Sequence, residues 1–442
     1  MTMGPETLAV IMLCILIVMV MAGVRLAFAM MFLGVLFGVY YRGPAILSLF
    51  MQNTFGTMQN EVLLAVPLFV FMGCILEKSG AAEKLFNTMY LLLGPLRGGL
   101  ALTTIIISTL FAACTGVIAA SVTTMTLMAL PAMLQRKYDH GLATGVVCAG
   151  GTLGILIPPS VMLVLLGPMS NVSVAKLFAG ALMPGLLLSF LYIAYIMIRS
   201  WLQPSLAPSI TDEERESSAS EGSLILKMLI YMIPILGLLF AVLGSILFGV
   251  ASPTEASAVG ALGAVIIALV YRRMTWETLT GALKETVKVT SMVFFVIVGA
   301  QMFTSVFLFM RGGVLIQSIL LGMGLGQWGV IFVMMFTVFI MGMFLDWIGI
   351  VYIIVPIFLP IAISLGLDPL YFVLLISINL QMSFLTPPFA YAIFFVKGVA
   401  PDYVTTKEIY WGVAPFVTLQ ALGLAMCIIW PKIVMWLPGI AG

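Results

Sequence analysis

The sequence predicts an all-α polytopic membrane protein with two inverted repeats. Three observations indicate this fold: the apolar composition, one polar segment at mid-chain, and the placement of the basic residues. Of 442 residues, 62% are hydrophobic and 8% are charged, against about 25% charged residues in a typical soluble domain. Many apolar windows reach the roughly 17–25 residues that a helix needs to cross a bilayer. They are continuously apolar rather than alternating, which favours helices over a closed barrel.

The hydrophobic map separates single crossings from longer apolar stretches. Two stretches are too long for one crossing, each follows a more amphipathic arm, and each carries glycines and polar residues near its middle. We interpret them as re-entrant helical hairpins, with hairpins at 100–134 and 326–366 and arms at 81–97 and 312–325. The single crossings are predicted at 7–24, 26–41, 61–77, 141–167, 180–198, 224–250, 254–271, 289–310, 370–396 and 411–437.

The segment Gln203–Ser223 is rich in Ser, Pro and acidic residues, as is typical of a solvated linker. It divides the chain into a first repeat, 1–202, and a second repeat, 224–442, with 203–223 as a cytoplasmic linker. Five matches recur in the same order at offsets of about 229 residues. They pair Leu33-Gly34 with Leu262-Gly263, Tyr41-Arg42 with Tyr271-Arg272, Gly73 with Gly299, Pro131 with Pro356, and Pro158-Pro159 with Pro387-Pro388.

The basic residues test the topology. With the N-terminus outside and both hairpins re-entrant, each repeat crosses five times, so the second repeat is inverted. Fifteen of the 19 Lys and Arg residues then lie on the cytoplasmic side, and only Arg42, Lys176, Arg311 and Lys432 lie outside. This bias follows the positive-inside rule. The N-terminus lacks a basic region and a cleavage site, so we expect the segment from Leu8 onward to be a retained helix.

Inverted repeats with helices interrupted at matching places are typical of secondary transporters. Pro158-Pro159 and Pro387-Pro388 lie inside the crossings 141–167 and 370–396, where each pair removes two backbone donors and disfavours the helix before it. We predict unwound points there, at Ile157 and Thr386, whose freed carbonyls can hold a cation. The alternative is a proline kink satisfied by neighbouring groups. The candidate sodium-binding residues around the two pairs are Gly151, Gly154, Ile157, Pro159, Ser383, Leu385, Thr386 and Pro388.

The hairpin middles supply a second set of candidates. Small, hydroxyl and acidic residues interrupt the apolar sequence there, which suits either ion ligands or ordinary close packing of helices. A carboxylate such as Asp346 costs about 2.5–3.5 kcal/mol at mid-membrane, which favours a functional role; it can alternatively hold the hairpin tip by accepting N–H bonds. These candidates are Thr115, Gly116, Ser121, Gly342, Asp346 and Gly349.

The sequence predicts neither enzymatic activity nor a cofactor, and the remaining notable residues are interpreted as structural. No nucleotide-binding, metallopeptidase or hydrolase motif occurs, so an enzyme is not predicted. The five cysteines show no metal spacing, and no cofactor is expected. We interpret Glu255, just after Pro253, as the cap of a helix, and His140, the only histidine, as a solvated loop residue.

At these motifs the chain resembles the large membrane subunit of tripartite ATP-independent periplasmic (TRAP) transporters. The resemblance extends over almost the whole chain, in the family's order. It is carried by VPLFVFMGCILEKSG (66–80), LFAACTGVIAASVTTM (110–125), GTLGILIPPS (151–160), SPTEASAVGAL (252–262), FLDWIGIVYIIVPIFLPI (344–361) and LTPPFAYAIFFVKG (385–398).

The resemblance implies an elevator-type carrier of the ion-transporter superfamily in a bacterial inner membrane. It implies sodium as the coupling ion and an organic acid with a carboxylate as the substrate. The implied partners are a periplasmic substrate-binding protein and a small four-helix membrane subunit. The scaffold would comprise 7–77 and 224–310, and the hairpins and broken helices would move.

Carried over by motif, one ion site lies between the tip Thr115–Ser121 and the loop Gly151–Pro159. The other lies between the tip Phe344–Gly349 and the loop Ser383–Pro388. The candidate substrate contacts are the hydroxyls of Thr123, Ser160 and Thr386. The chain has TGVI at the first tip, where many relatives have an SGSS-type sequence, so backbone carbonyls carry more of that site. This variant is similar to the branch often labelled mannitol or chloroaromatic transport.

Rival functions remain open at this stage. The membrane component of an ATP-driven importer would need a coupling loop and an ATPase partner. A proton-coupled carrier would use Asp346 as the first carboxylate to examine. A channel would show flux that does not saturate, and a purely structural subunit would have no use for paired broken helices.

Overall fold

The computed structural model describes residues 4–115, 118–209 and 224–440. Within them the chain is helical and contains no β-strand, which confirms the predicted all-α class. Seven helices are long and apolar enough to cross a membrane, or eight if one bent pair is a single span.

The described residues of the first half form ten α-helices. Three of its connections contain a short 3-10 turn, at Glu61–Leu64, Leu153–Ile155 and Pro204–Leu206. The helices are α1 Pro5–Met21, α2 Leu26–Arg42, α3 Ile46–Met58, α4 Ala65–Lys78, α5 Ala81–Leu93, α6 Gly99–Thr115, α7 Ile118–Gln135, α8 His140–Thr152, α9 Val161–Ser170 and α10 Val174–Leu202.

The described residues of the second half also form ten α-helices longer than one turn. Its first helix continues through a π-helical turn, Phe240–Gly244, and one further α-helical turn, Ser245–Leu247. The helices are α11 Leu224–Leu239, α12 Pro253–Val270, α13 Trp276–Phe309, α14 Gly312–Gly322, α15 Gly326–Gly342, α16 Trp347–Ser364, α17 Pro369–Ser383, α18 Tyr391–Val399, α19 Thr406–Ile429 and α20 Lys432–Ile440.

Two helices differ from the hydrophobic map. Helix α3 lies in a stretch that the map left without an element, and it joins the next helical segment, Glu61–Lys78, at a bend of 57°. The polar residues Gln52, Asn53 and Asn60 interrupt this stretch, so no window there reaches the apolar length of a crossing. Helix α13 has 34 residues and begins 13 residues before the predicted segment 289–310, because its first turns carry charged residues.

Several helix ends follow from local sequence. Ser252 and Glu255 form a capping box at the start of α12, in which each side chain bonds the other residue's N–H. The predicted role of Glu255 as a helix cap is therefore confirmed. A second capping box, Thr405 with Glu408, starts α19. His140, predicted to be a solvated loop residue, is instead the partly buried first residue of α8, and its Nδ1 lies 3.0 Å from Glu408 Oε1.

The packing between the two halves is reciprocal. Helix α2 packs on α13, and α4 packs on α12. In the same way α8 packs on α19 and α17 on α10, while α7 packs on α18 and α16 on α9. In each of these three cases, replacing both helices of the first contact by their equivalents in the other repeat gives the second contact. This is expected of two halves related by a pseudo-two-fold axis. The division into repeats, hairpins and arms with the stated bounds stays a prediction that this packing supports.

Candidate functional site

The first interrupted helix breaks where the sequence predicts. Helix α8 ends at Thr152, one 3-10 turn follows, and α9 begins only at Val161. The peptide bond between Pro158 and Pro159 is cis. The N–H of Ile157 donates to the carbonyl of Leu153 at 2.9 Å, and the hydroxyl of Ser160 donates to the carbonyl of Ile155. We call residues 153–160 the first break.

Every residue of the first break is buried, including the candidates Gly154, Ile157, Pro159 and Ser160. Ile157 packs so closely on helix α10 that a Cβ at Gly185 would lie 2.6 Å from its side chain. Because Ser160 uses its hydroxyl hydrogen inside the break, only its oxygen lone pairs remain for another partner.

The second interrupted helix repeats this architecture. Helix α17 ends at Ser383, and α18 begins at Tyr391. The peptide bond between Pro387 and Pro388 is cis. The hydroxyl of Thr386 donates to the carbonyl of Met382 at 2.7 Å. We call residues 384–390 the second break. Leu385 is buried, Thr386 is partly exposed, and residues 387–389 are exposed.

The second break lies against the tip of the second hairpin. The N–H of Phe389 donates to the carbonyl of Met343 at 3.2 Å, and the hydroxyl of Ser383 donates to the carbonyl of Phe339 at 3.2 Å. A Cβ at Gly342 would lie 2.3 Å from Ser383 Oγ, so only glycine allows this approach. Gly342 and Ser383 are therefore in close contact, and the second break meets the hairpin tip at Met343. That these residues hold an ion stays a prediction.

Asp346 lies at this tip, as the N-cap residue of α16. Its side chain makes no full helix-capping bond, although the N–H groups of Trp347 and Ile348 face the carboxylate. Both roles considered for it, ion ligand and tip anchor, remain compatible with this position. Gly349 has a different neighbour, because a Cβ there would lie 2.3 Å from Leu26 of α2.

The tip of the first hairpin is only partly described. Thr115 is the last residue of α6, whereas Gly116 lies outside the described residues. Ser121 is buried near the start of α7. A Cβ at Gly151 would lie 2.9 Å from the Cα of Val122, so α8 approaches the backbone of α7 closely just before the first break.

Thr123 faces a cavity of about 340 Å³, which we call the inner cavity. Helices α4, α7 and α13 line it, and among its lining residues are Glu77, Lys78 and Glu285. The hydroxyl of Thr124 donates to Glu77 Oε1 at 2.6 Å, which joins hairpin helix α7 to α4. Sequence reasoning did not single out Glu77, although a carboxylate in the last turn of a predicted crossing was a usable signal.

The groups available as ligands at these breaks are mainly the oxygen atoms of main-chain carbonyls and hydroxyls. The last carbonyls of a helix have no partner within it and carry the negative end of the helix dipole. Helices α8 and α17 both end at a break, so their carbonyls and the nearby hydroxyls suit a hard cation such as sodium. Within the described ranges, no cluster of three or more His, Cys, Asp or Glu residues could hold a metal ion.

Comparison with known proteins assigns the family. Residues 13–433 match the family described as "Tripartite ATP-independent periplasmic transporter, DctM component". The chain is 33% identical over 348 residues to the C4-dicarboxylate TRAP transporter large permease protein DctM of Pseudomonas aeruginosa, covering 78% of this chain and 79% of that protein. It is 31% identical to the ectoine/5-hydroxyectoine TRAP transporter large permease protein UehC of Ruegeria pomeroyi, covering 88% and 89%.

A solved structure supports the fold independently. The YdaH transporter of Alcanivorax borkumensis, whose crystal structure is described as having an unusual topology, aligns with a TM-score of 0.62 over 90% of each chain at 14% identity. At that identity the likeness concerns the fold alone. The narrower resemblance to a mannitol or chloroaromatic branch stays a prediction. The family match covers nearly the whole chain and agrees with an all-helical membrane fold, so this protein is a transporter subunit rather than an enzyme and belongs to the DctM family of TRAP transporter large permease subunits.

Proposed function

We propose that this chain imports an organic acid together with sodium. The observation that carries the proposal is the pairing of broken helices with hairpins. The second break is bonded to the second hairpin by Phe389 and Ser383, and α8 touches the first hairpin at Gly151 immediately before the first break. Unwound segments with helix ends pointing at them are how carriers of this kind hold sodium.

An elevator movement suits the packing. Helices α2, α4, α12 and α13 pack on one another across the two halves, and they form the fixed scaffold of this proposal. Helix α7 of the first hairpin packs on α18 of the second broken helix, and α16 of the second hairpin packs on α9 of the first broken helix. These contacts between the repeats allow the hairpins and broken helices to move as one body. Polar contacts between the two groups include the bond from Thr124 to Glu77 and the bond from Thr304 to the carbonyl of Tyr352.

The substrate class and the partners rest on the family. Two relatives carry C4-dicarboxylate and ectoine in their names, which supports a small organic acid with a carboxylate as the solute here. A periplasmic substrate-binding protein and a small four-helix membrane subunit in a bacterial inner membrane complete the proposed assembly.

Uptake into liposomes tests the proposal. The chain is reconstituted with its small subunit, and the loaded binding protein is added outside. We expect uptake only with an inward sodium gradient. Uptake by the Asp346→Asn variant and by the parent chain should also be compared at several external pH values, because Asp346 is the carboxylate that a proton-coupled carrier would use. Equal uptake with choline in place of sodium would reject sodium coupling, and uptake that follows a proton gradient would favour a proton carrier. A requirement for ATP would favour an ATP-driven importer.

A further inference from the structure

A second cavity, of about 460 Å³, lies apart from both breaks, and we call it the external cavity. One wall is α3 with the turn that follows it, and a second wall is α13. The third wall combines the end of α9 with the middle of α16, through Pro168 and Tyr352. Its volume is within the roughly 300–1,000 Å³ of small-molecule sites.

The first two walls are joined by side-chain hydrogen bonds. The hydroxyl of Thr57 donates to Gln301 Oε1 at 2.8 Å, and the amide of Asn53 donates to Ser305 Oγ at 3.1 Å. The third wall is joined by the hydroxyl of Thr304, which donates to the carbonyl of Tyr352 at 3.0 Å. These bonds place amide and hydroxyl groups in fixed positions around the space.

The polar groups of this cavity are neutral and partly available. None of the described residues that line it carries a formal charge. The side-chain nitrogen of Gln301 and both side-chain polar atoms of Gln52 make no hydrogen bond to any residue that the structure describes. An amide offers both donors and acceptors. A ligand with several hydroxyl groups matches this set, whereas a carboxylate alone would find no cation to pair with.

The cavity also lies where a solute would arrive. The distribution of basic residues predicts that Arg42, before α3, and Arg311, after α13, lie on the outside. Two walls come from the predicted scaffold, and the third comes from α9 and α16 of the predicted mobile part. An occupant of this space would therefore touch both bodies before reaching the breaks.

We propose that the external cavity is a solute subsite that binds the hydroxyl-bearing part of an organic acid through Gln52 and Gln301. This assignment rests on the proposed import of an organic acid. It is tested below by a measurement that needs neither sodium coupling nor transport, so that the two proposals fail separately.

Gly56 offers a direct probe of the cavity. It lines the space, and a Cβ added there would meet no atom within 4 Å. Gly56→Cys in the full chain with its small subunit is labelled in spheroplasts by a membrane-impermeant thiol reagent, and the labelling of the parent chain is subtracted. We expect gluconate and sorbitol to slow labelling by at least about threefold through simple occupancy, and butyrate, which has no hydroxyl, to leave the rate unchanged.

Two variants control this experiment. Ser173→Cys replaces an exposed residue of the predicted external side that does not line the cavity, and its labelling should not respond to any probe. Gln301→Met in the Gly56→Cys chain removes the amide at similar side-chain length, and protection by sorbitol should disappear while the unprotected rate is kept.

Three outcomes would overturn the subsite. They are a Gly56→Cys chain that the external reagent does not label, equal rates with and without gluconate and sorbitol, and equal protection by butyrate. The first would show that the cavity is closed to the outside, the second that only water fills it, and the third that hydroxyl groups are not what it binds.

Discussion

Both breaks contain a Pro-Pro pair, but the surrounding helices bury the two breaks to different extents. All residues of the first break are buried, and Ile157 is only 3% exposed. In the second break residues 387–389 are exposed, and Phe389 is 44% exposed. Both breaks interrupt a helix after a comparable length, since α8 has 13 residues and α17 has 15.

The difference teaches that local sequence decides where a helix stops, and packing decides whether the stop is accessible. The first break is covered by α10, which Ile157 contacts at Gly185. The second break is bonded on one side to its hairpin tip and leaves its other side uncovered. Two repeat-related breaks can thus differ in accessibility within one conformation.

The largest expected effect comes from closing the tight approaches beside the two breaks. Gly151→Ala and Gly342→Ala both place a Cβ within 2.5 Å of a neighbouring atom, and each should destabilise the protein by about 1–3 kcal/mol, as overpacking does. Gly237→Ala is the control, because a Cβ there meets nothing within 4 Å. Thermal unfolding of the purified complex in detergent is the measurement.

Rescue separates the two approaches. The three atoms nearest to a Cβ at residue 342 belong to the side chains of Ser383 and Leu380, so Ser383→Gly should restore much of the stability of Gly342→Ala. The Cβ at residue 151 would also meet the Cα of Val122, so Val122→Ala should restore less. Equal rescue at both places would show that the two breaks are packed alike.

The next effect concerns accessibility. Phe389→Cys should react with a water-soluble maleimide at least about tenfold faster than Ile157→Cys, because a buried site reacts only through local opening. Reaction rates are followed by mass shift in the purified complex. Similar slow rates at both positions would remove the accessibility difference on which the comparison stands.

The proline pairs should affect ion binding in both repeats. Pro159→Ala and Pro388→Ala each restore a backbone N–H and remove the steric clash that prevents a helix at this point. Each should therefore raise the sodium concentration for half-maximal uptake by about tenfold, the loss typical of a disturbed ligand support. Pro415→Ala, inside the unbroken helix α19, is the control. An unchanged sodium curve in both variants, measured per folded protein, would assign the prolines to packing alone.

The smallest effect is expected from one hydroxyl of the second break. Thr386→Ala should raise the half-maximal sodium concentration by about threefold, as the loss of one neutral polar contact does. Thr418→Ala removes an exposed hydroxyl of α19 that makes the same bond to the carbonyl four residues earlier, and it should leave the curve unchanged. An identical curve for Thr386→Ala would leave only main-chain carbonyls as ligands there.

Much of the architecture was predictable because its signals are local. Continuous apolar length indicated the membrane-spanning helices, the proline pairs indicated both interruptions, and Pro253 with Glu255 indicated a helix start. Helix α3 was missed because Gln52, Asn53 and Asn60 make it too polar for a crossing. The same polar residues line the external cavity. The polarity that prevented the prediction of this helix is therefore the property that suits it to bind a solute.

The sequence by itself determined the helical membrane class, the two break points and the family, because length, hydrophobicity and proline act within a few residues of the chain. The tertiary structure alone decided which break is buried, that Glu77 bonds Thr124, and that Gln301 bonds Thr57 in the wall of a cavity. These contacts join residues 47 and 244 positions apart, and such pairings depend on how whole helices pack. No local pattern in a single sequence reports that packing.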